Sequence, residues 1–467
     1  MKHALKDLAY LFVFYSLISS ISSPAAAQQS ATRDNSKLLA PTPPMGWNSW
    51  DSYGENITED EVRANAGWMA QHLKQFGWQY VVIDEGWYVQ NPSTKPGEVK
   101  FAMDETGRYI PAANRFPSAE HGAGLKPLAD YIHSLGLKFG IHILRGIPRE
   151  AVAKNLPIAG SLYRAAEAAD TGDACPWSTD NYGAKKSPAG QAYYDSIAAL
   201  YASWGVDFVK ADCISDHPYK GDEIRMLSVA LQKSGRPIVL SLSPGPTSLE
   251  KSKEVAKYAE MWRISDDFWD HWAPLPEKDK AWSQGVLAQF ATAAKWASFQ
   301  QPGKWPDADM LPLGHLGPHP GDGGEPRDTG LAHDEQVTMM TLWCIFRSPL
   351  MLGGDLPSSD AWTTKLLTNP EVLAVNQHST NHRAVITTES TVVWTAKPAD
   401  GRGYYVAVFN LANNEQTLTY HWTKLDLPKS SSAVRDLWNS QDMGDAAALK
   451  VTLRPHASAL YRVVATP

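Results

Sequence analysis

Cysteine is scarce in this chain. Cys175, Cys213 and Cys344 form an odd, widely spaced set with no CxxC pair and no adjoining histidine cluster. That pattern excludes a zinc site and a disulfide framework, leaves room for one bridge at most, and lets Cys213 and Cys344 read as small core residues. Basic runs are also missing. With a net charge of −7, the protein has nothing that would recruit nucleic acid or an anionic membrane surface. No apolar run is long enough for a membrane span. The first residues instead read as an export signal over 1–27. Lys2 and Lys6 supply the positive start, Leu8 to Ile21 the apolar stretch, and Ala25 to Ala27 the small residues before a cleavage point. The expected location is therefore the periplasm, the cell surface or the extracellular space of a bacterium. Residues 28–40 read as a loose polar lead.

What the chain does have is apolar material and tryptophan. Hydrophobic residues make up 43%, enough for a large core, and there are 18 tryptophans. From Pro41 to Gln377, short apolar runs alternate with amphipathic stretches. Candidate strands are Met45–Trp50, Tyr80–Asp84, Lys138–Ile143, Val206–Asp212, Pro237–Ser243, Met261–Asp267, a short piece near Trp305–Met310, and Pro349–Leu352. Eight β-then-α units predict an α/β fold, a (β/α)8 TIM barrel over 41–377. The region is longer than the ~250 residues usual for such barrels, so long βα loops are expected. Leu144–Trp177 and the Gly/Pro-rich Gly314–Arg327 are the clearest, the latter as a lid or rim. After Asn376 the pattern changes to short β-type runs broken by Asp-Gly, Asn-Asn and Pro. Residues 380–467 predict a C-terminal antiparallel β-sandwich that supports the barrel.

Catalytic groups of a barrel come from the C-terminal ends of its strands. Those ends supply Trp47, then Asp84 and Glu85, then His142, then Lys210 and Asp212, then Ser241 and Ser243, then Arg263 and Asp267. On Val206–Cys213 (VDFVKADC), residues two apart share a face, which places Lys210 beside Asp212 and turns Val209 and Ala211 the other way. An ammonium beside a buried carboxylate favours the ionised form, as a nucleophile requires. Two carboxylates on strands four and six suit glycoside hydrolysis with retention: one attacks the anomeric carbon, the other protonates the leaving oxygen and then activates water. Asp212 fits the nucleophile. Strand parity groups Arg263, Ser265 and Asp267, which favours Asp267 over Asp266 as acid/base. Asp270 and Trp272 read as holding the following turn. A metal-dependent enzyme using Asp84, Glu85, His142 and Asp212 is the rival chemistry, but Lys210 and Arg263 would repel a cation. No metal and no cofactor are expected.

Several motifs carry a resemblance. PMGWNSWDSY (Pro44–Tyr53), YVVIDEGW (Tyr80–Trp87), LGLKFGIH ending at His142, VDFVKADC, WRISDDFWD (Trp262–Asp270), GKWPDADML (Gly303–Leu311) and MTLWCIFRSPLMLGGDL (Met340–Leu356) resemble glycoside hydrolase family 27. That family contains α-galactosidases and α-N-acetylgalactosaminidases. The resemblance implies Asp212 as nucleophile, Asp267 as acid/base, and sugar contacts from Trp47, Asp84, Lys210 and Arg263, with Asp309 lining the pocket. It implies a carbohydrate partner, terminal α-galactose being the family's commonest substrate. Three departures bear on the sugar. The Asp-Asp pair that grips the C4 and C6 hydroxyls is here Asp84-Glu85. His142 replaces the usual tyrosine. Ser243 stands where a glutamate usually holds the C2 hydroxyl, as in the N-acetylgalactosaminidase branch. β-L-Arabinopyranosides, which match α-D-galactosides without the C6 arm, are accepted by some relatives.

Overall fold

The computed structural model describes residues 38–92, 98–275, 283–321, 324–428 and 432–465. The expected export signal over 1–27, and the loose lead up to residue 37, lie outside them. Eight parallel strands form the first sheet: β1 (Met45–Asn48), β2 (Tyr80–Ile83), β3 (Lys138–Leu144), β4 (Phe208–Asp212), β5 (Val239–Leu242), β6 (Met261–Arg263), β7 (Trp305–Asp307) and β8 (Leu350–Leu352). They pair in sequence from β1 to β7, and β8 pairs with β1. The last seam closes through one parallel bridge, Leu311 with Leu352, where Leu311 N–H donates to the Met351 carbonyl at 2.7 Å. The curled sheet is the expected TIM-type barrel.

Alternation along these strands sorts the apolar residues into two layers. Tyr80, Val82, Phe208, Val239, Met261, Trp305 and Met351 form one buried cluster, the barrel interior below the site. Gly46 makes space for it, because a Cβ there would stand 2.4 Å from the Tyr80 carbonyl oxygen. Ala40 belongs to the same cluster at 2% exposure, and its carbonyl accepts from the Trp305 indole at 2.8 Å. The end of the expected loose lead is thus packed under the barrel. Burying one such aromatic contributes about 2–3 kcal/mol. Val81, Ile83, Val209, Ala211, Leu240, Leu242 and Trp262 face outward and join the helical layer. That layer includes α1 (Glu59–His72), α2 (Lys126–Ser134), α3 (Pro188–Trp204) and α4 (Gly221–Lys233).

The sixth strand is shorter than expected. It stops at Arg263, and Ile264 N–H donates across to the Asp307 carbonyl at 3.0 Å. Asp267 therefore lies in the loop beyond, and its position comes from that loop, not from strand parity. The insertion after β3 folds into a small three-stranded sheet of Ile147–Pro148, Ala169–Ala174 and Asn181–Ala184. Within Gly314–Arg327, His315–Leu316 pairs with Arg327–Asp328 at its end.

A second core follows. β9 (Ser379–Thr387), β10 (Thr391–Pro398), β11 (Tyr404–Asn410), β12 (Gln416–His421), β13 (Ser432–Asp436), β14 (Gln441–Ala446), β15 (Ala448–Leu453) and β16 (Ser458–Ala465) make a six-stranded antiparallel sheet facing the β12–β15 pair. This is the expected sandwich. One face of the large sheet explains its attachment. Trp394, Ala396, Tyr405, Ala407 and Phe409 join the barrel core, whereas Val393, Val406 and Val408 turn into the sandwich. Phe409 meets Phe290 edge-on at 4.9 Å.

Candidate active site

The strand ends open into a cavity of about 520 Å³. Asp84, Glu85, Lys210, Asp212, Ser243, Arg263, Asp267 and Asp309 all line it. The two proposed catalytic carboxylates therefore share one chamber with six of the other nine expected residues. Trp47, His142 and Ser241 are placed elsewhere.

Trp47 needs correcting. It is fully buried, packs edge-on against Tyr53 at 6.1 Å, and donates its indole N–H to the Gly354 carbonyl. On β1 the inward positions are Gly46 and Asn48, so Trp47 points into the helical layer. Trp50, just past the strand, lines the cavity instead. The same alternation that placed Lys210 and Asp212 was available for Met45–Trp50 and would have selected Trp50.

His142 sits beneath the cavity, fully buried, with Nε2 3.2 Å from Asp212 Oδ2. It is a partner of the carboxylate and not part of the cavity wall. This also revises how Asp212 is kept ionised. Lys210 does share its face, but the ammonium reaches across to Asp84 Oδ2 at 2.8 Å. The groups bonded to Asp212 are His142 and the Cys213 N–H, at 2.5 Å from Oδ1. Burial works against the Asp212 charge. The bond from His142 and its positive charge, with Lys210 and the Cys213 N–H, together hold the carboxyl below its ordinary value. Burial likewise opposes charge on Asp84, where Lys210 and His142 more than offset it. Asp84 also accepts from Asn48 Nδ2 at 2.6 Å. Both are thus acceptors with fixed orientation.

The opposite wall is built around Arg263. Its guanidinium lies 2.7 Å from Asp309 and 3.1 Å from Asp267. Asp309 is locked further by the N–H groups of Phe268 and Met310. Asp267 is the exposed member, with 53% of its side chain accessible. A half-exposed carboxyl on the same cavity as a partly buried, ionised one is what an acid/base that exchanges protons with water needs.

The remaining walls were not legible as site residues. Trp177, Ser178, Thr179 and Asp180 come from the insertion after β3, and Trp269 from the loop after β6. Their signal was only insertion length. A disulfide explains how the first of these loops is held: Cys175 and Cys213 are bonded, the one bridge the cysteine set leaves room for, and Cys344 is the buried free one. Two residues distant in sequence become neighbours because the loop folds back over the β4 end. Arg145 reinforces the fold-back with two bonds to Asp173 and one to Glu223. Breaking the 38-residue link in Cys175→Ser is expected to cost about 3 kcal/mol in a denaturant titration. It should also raise KM several-fold, because the tether adjoins Asp212 and carries the Trp177 wall.

Comparisons with known proteins agree with this architecture. Residues 42–171 and 178–378 match the profile described as alpha galactosidase A, and residues 388–463 match the alpha galactosidase C-terminal beta sandwich domain. Among solved structures, a GH27 β-L-arabinopyranosidase from Geobacillus stearothermophilus is 48% identical with a TM-score of 0.86, covering 91% of this chain and 97% of its own. A structure described as a putative α-N-acetylgalactosaminidase from Bacillus halodurans is 44% identical with a TM-score of 0.81, covering 92% and 99%. Alpha-galactosidase 2 of Arabidopsis thaliana is 28% identical over 456 residues, 96% of each chain. On fold, matched domains and the ring of carboxylates at the barrel mouth, this chain is a glycoside hydrolase and belongs to glycoside hydrolase family 27.

Proposed function

We propose that this protein is a retaining exo-glycosidase that releases terminal galacto-configured pyranoses, α-D-galactose or the matching β-L-arabinopyranose, and that the arabinopyranoside is preferred. The observation that carries the reading is Asp212, held below its ordinary carboxyl value with bonds from His142 and the Cys213 N–H, with Asp267 on the same cavity. Asp212 attacks the anomeric carbon as Asp267 gives its proton to the departing glycosidic oxygen, leaving a glycosyl ester on Asp212. Asp267 then takes a proton from water as that water attacks the same carbon, and the Asp212 carboxylate is restored. Asp84 and Lys210 supply acceptor and donor to ring hydroxyls, with Arg263 and Asp309 opposite. NMR of the first-formed sugar tests the mechanism: retention should appear, and release of the inverted anomer would sink it.

Glu85 supports the choice of sugar. It follows Asp84 and lines the cavity, one methylene longer than the aspartate usual at this position. That length occupies space a C6 arm would need. Burial pushes its carboxyl up to about 8, with Asp212, Glu55 and Asp180 adding and His142 opposing. Near pH 7 it is therefore neutral. As pH rises through 8 it ionises beside Asp212, so kcat/KM should fall on the alkaline side, and Glu85→Gln should remove that limb. Glu85→Asp should shift the ratio of α-galactosidase to β-L-arabinopyranosidase activity toward galactose by about tenfold. An unchanged ratio, measured on the two nitrophenyl glycosides, would count against the arabinose preference.

We further infer export to an oxidising compartment. Support comes from the leader-like residues 1–27 and from the Cys175–Cys213 bond, which persists outside a reducing cytoplasm. The secreted or periplasmic protein should begin near Gln28 by mass spectrometry. A full-length cytoplasmic product would refute this.

A further inference from the structure

Several acids at the cavity have no task in the mechanism above, and Asp51 is the most buried of them. Asp51 sits on the single helical turn Trp50–Tyr53 that follows β1, is 3% exposed, and lines the cavity with Asp84, Lys210 and Asp309. Its companions are engaged. Asp84 holds Asn48 and Lys210, and Asp309 holds Arg263 and two backbone N–H groups. Asp51 differs, because its Oδ2 meets no hydrogen-bond partner among the described residues.

The surrounding backbone is shaped to accommodate that carboxyl. A Cβ on Gly353 would stand 1.7 Å from Asp51 Oδ2, so only glycine leaves room there. A buried polar atom without a protein partner calls for an explanation, such as an ordered water or a bound group. Burial pushes this carboxyl well above its ordinary value. Asp309 adds to the rise, Lys210 opposes it, and Asp270 and Asp84 add again. The protonated form favoured in these surroundings can donate as well as accept.

We propose that Asp51 is a further sugar-binding residue, making a direct hydrogen bond to a ring hydroxyl of the glycone on the edge faced by Asp84 and Lys210. This rests on the reading of the cavity as the glycone site. It extends the pyranose grip beyond the residues that the family resemblance supplies. It also gives the glycine at 353 a reason that turn geometry does not.

The experiment compares wild type, Asp51→Ala and Asp51→Asn on nitrophenyl β-L-arabinopyranoside and α-D-galactopyranoside, with free L-arabinose and D-galactose as inhibitors. Asp51→Ala should raise KM and the inhibition constants at least tenfold, with its thermal midpoint unchanged or raised because an unpartnered buried carboxyl is gone. Asp51→Asn keeps a donor and should stay within about threefold of wild type. If Asp51→Ala does not fold, Gly353→Ala, whose methyl would be driven into Oδ2, should raise KM in the same way. Wild-type KM and inhibition constants in Asp51→Ala would overturn the proposal, as would equal damage in the alanine and asparagine variants. No turnover by wild type on either glycoside would overturn the proposed function and this inference with it.

Discussion

Asp212→Ala is expected to lose at least about 10⁴-fold in kcat on every glycoside, with the fold intact. The magnitude follows from the role: without the carboxylate no glycosyl ester forms, and no other group on the cavity is placed to replace it. Loss of folding is not the expected cause. The side chain is partly buried at the barrel mouth and, among the described residues, bonds to His142 and the Cys213 N–H. Far-UV circular dichroism and the thermal midpoint should therefore change little, whereas a 2-deoxy-2-fluoro glycoside should label wild type on Asp212 and leave the variant unlabelled. Residual activity within a hundredfold of wild type would remove Asp212 from the nucleophile's position.

Asp267→Ala is the second large effect, and its signature depends on the leaving group. For a natural glycoside or an alkyl aglycone, whose oxygen needs a proton to depart, kcat/KM should drop about 10²–10⁴-fold. For an activated dinitrophenyl glycoside the glycosylation step needs no acid, so the loss there should be slight. Deglycosylation still lacks its base, and the intermediate should accumulate as a burst. Added azide should restore turnover as a glycosyl azide of retained configuration. Arg263 provides an internal control. It holds both Asp267 and Asp309, so a variant that merely disorders this wall would impair activated and unactivated substrates alike.

Much of this site was legible before any coordinates. Period-two alternation located Lys210 and Asp212 on one face of β4, and Ser241 and Ser243 on β5, because a strand leaves side chains no other choice. Strand ends carry Asp84, Arg263 and Asp267, and the family motifs add Asp309. The errors are equally physical. Trp47 lies one residue out of phase with the inward face of its strand, which Gly46, Asn48 and Trp50 share. Strand six was extended to Asp267 because an isolated run cannot show where its neighbour stops pairing; Ile264 turns toward β7 instead. Cys213 was read as a core thiol because its partner, Cys175, lies in an insertion with no periodicity to place it.

The barrel, the sandwich that follows it, the family and the two carboxylate positions at the cavity are written in local periodicity or in contiguous motifs. Which side chain bonds to which is set by the closed fold. Lys210 pairs with Asp84 and His142 with Asp212, although adjacency on the strand suggested otherwise. Long side chains crossing a closed barrel meet partners from other strands, and that choice depends on the curvature of the whole sheet. The same curvature brings Gly353 of the last strand's end against Asp51 of the first, a contact across some three hundred residues that no local pattern encodes.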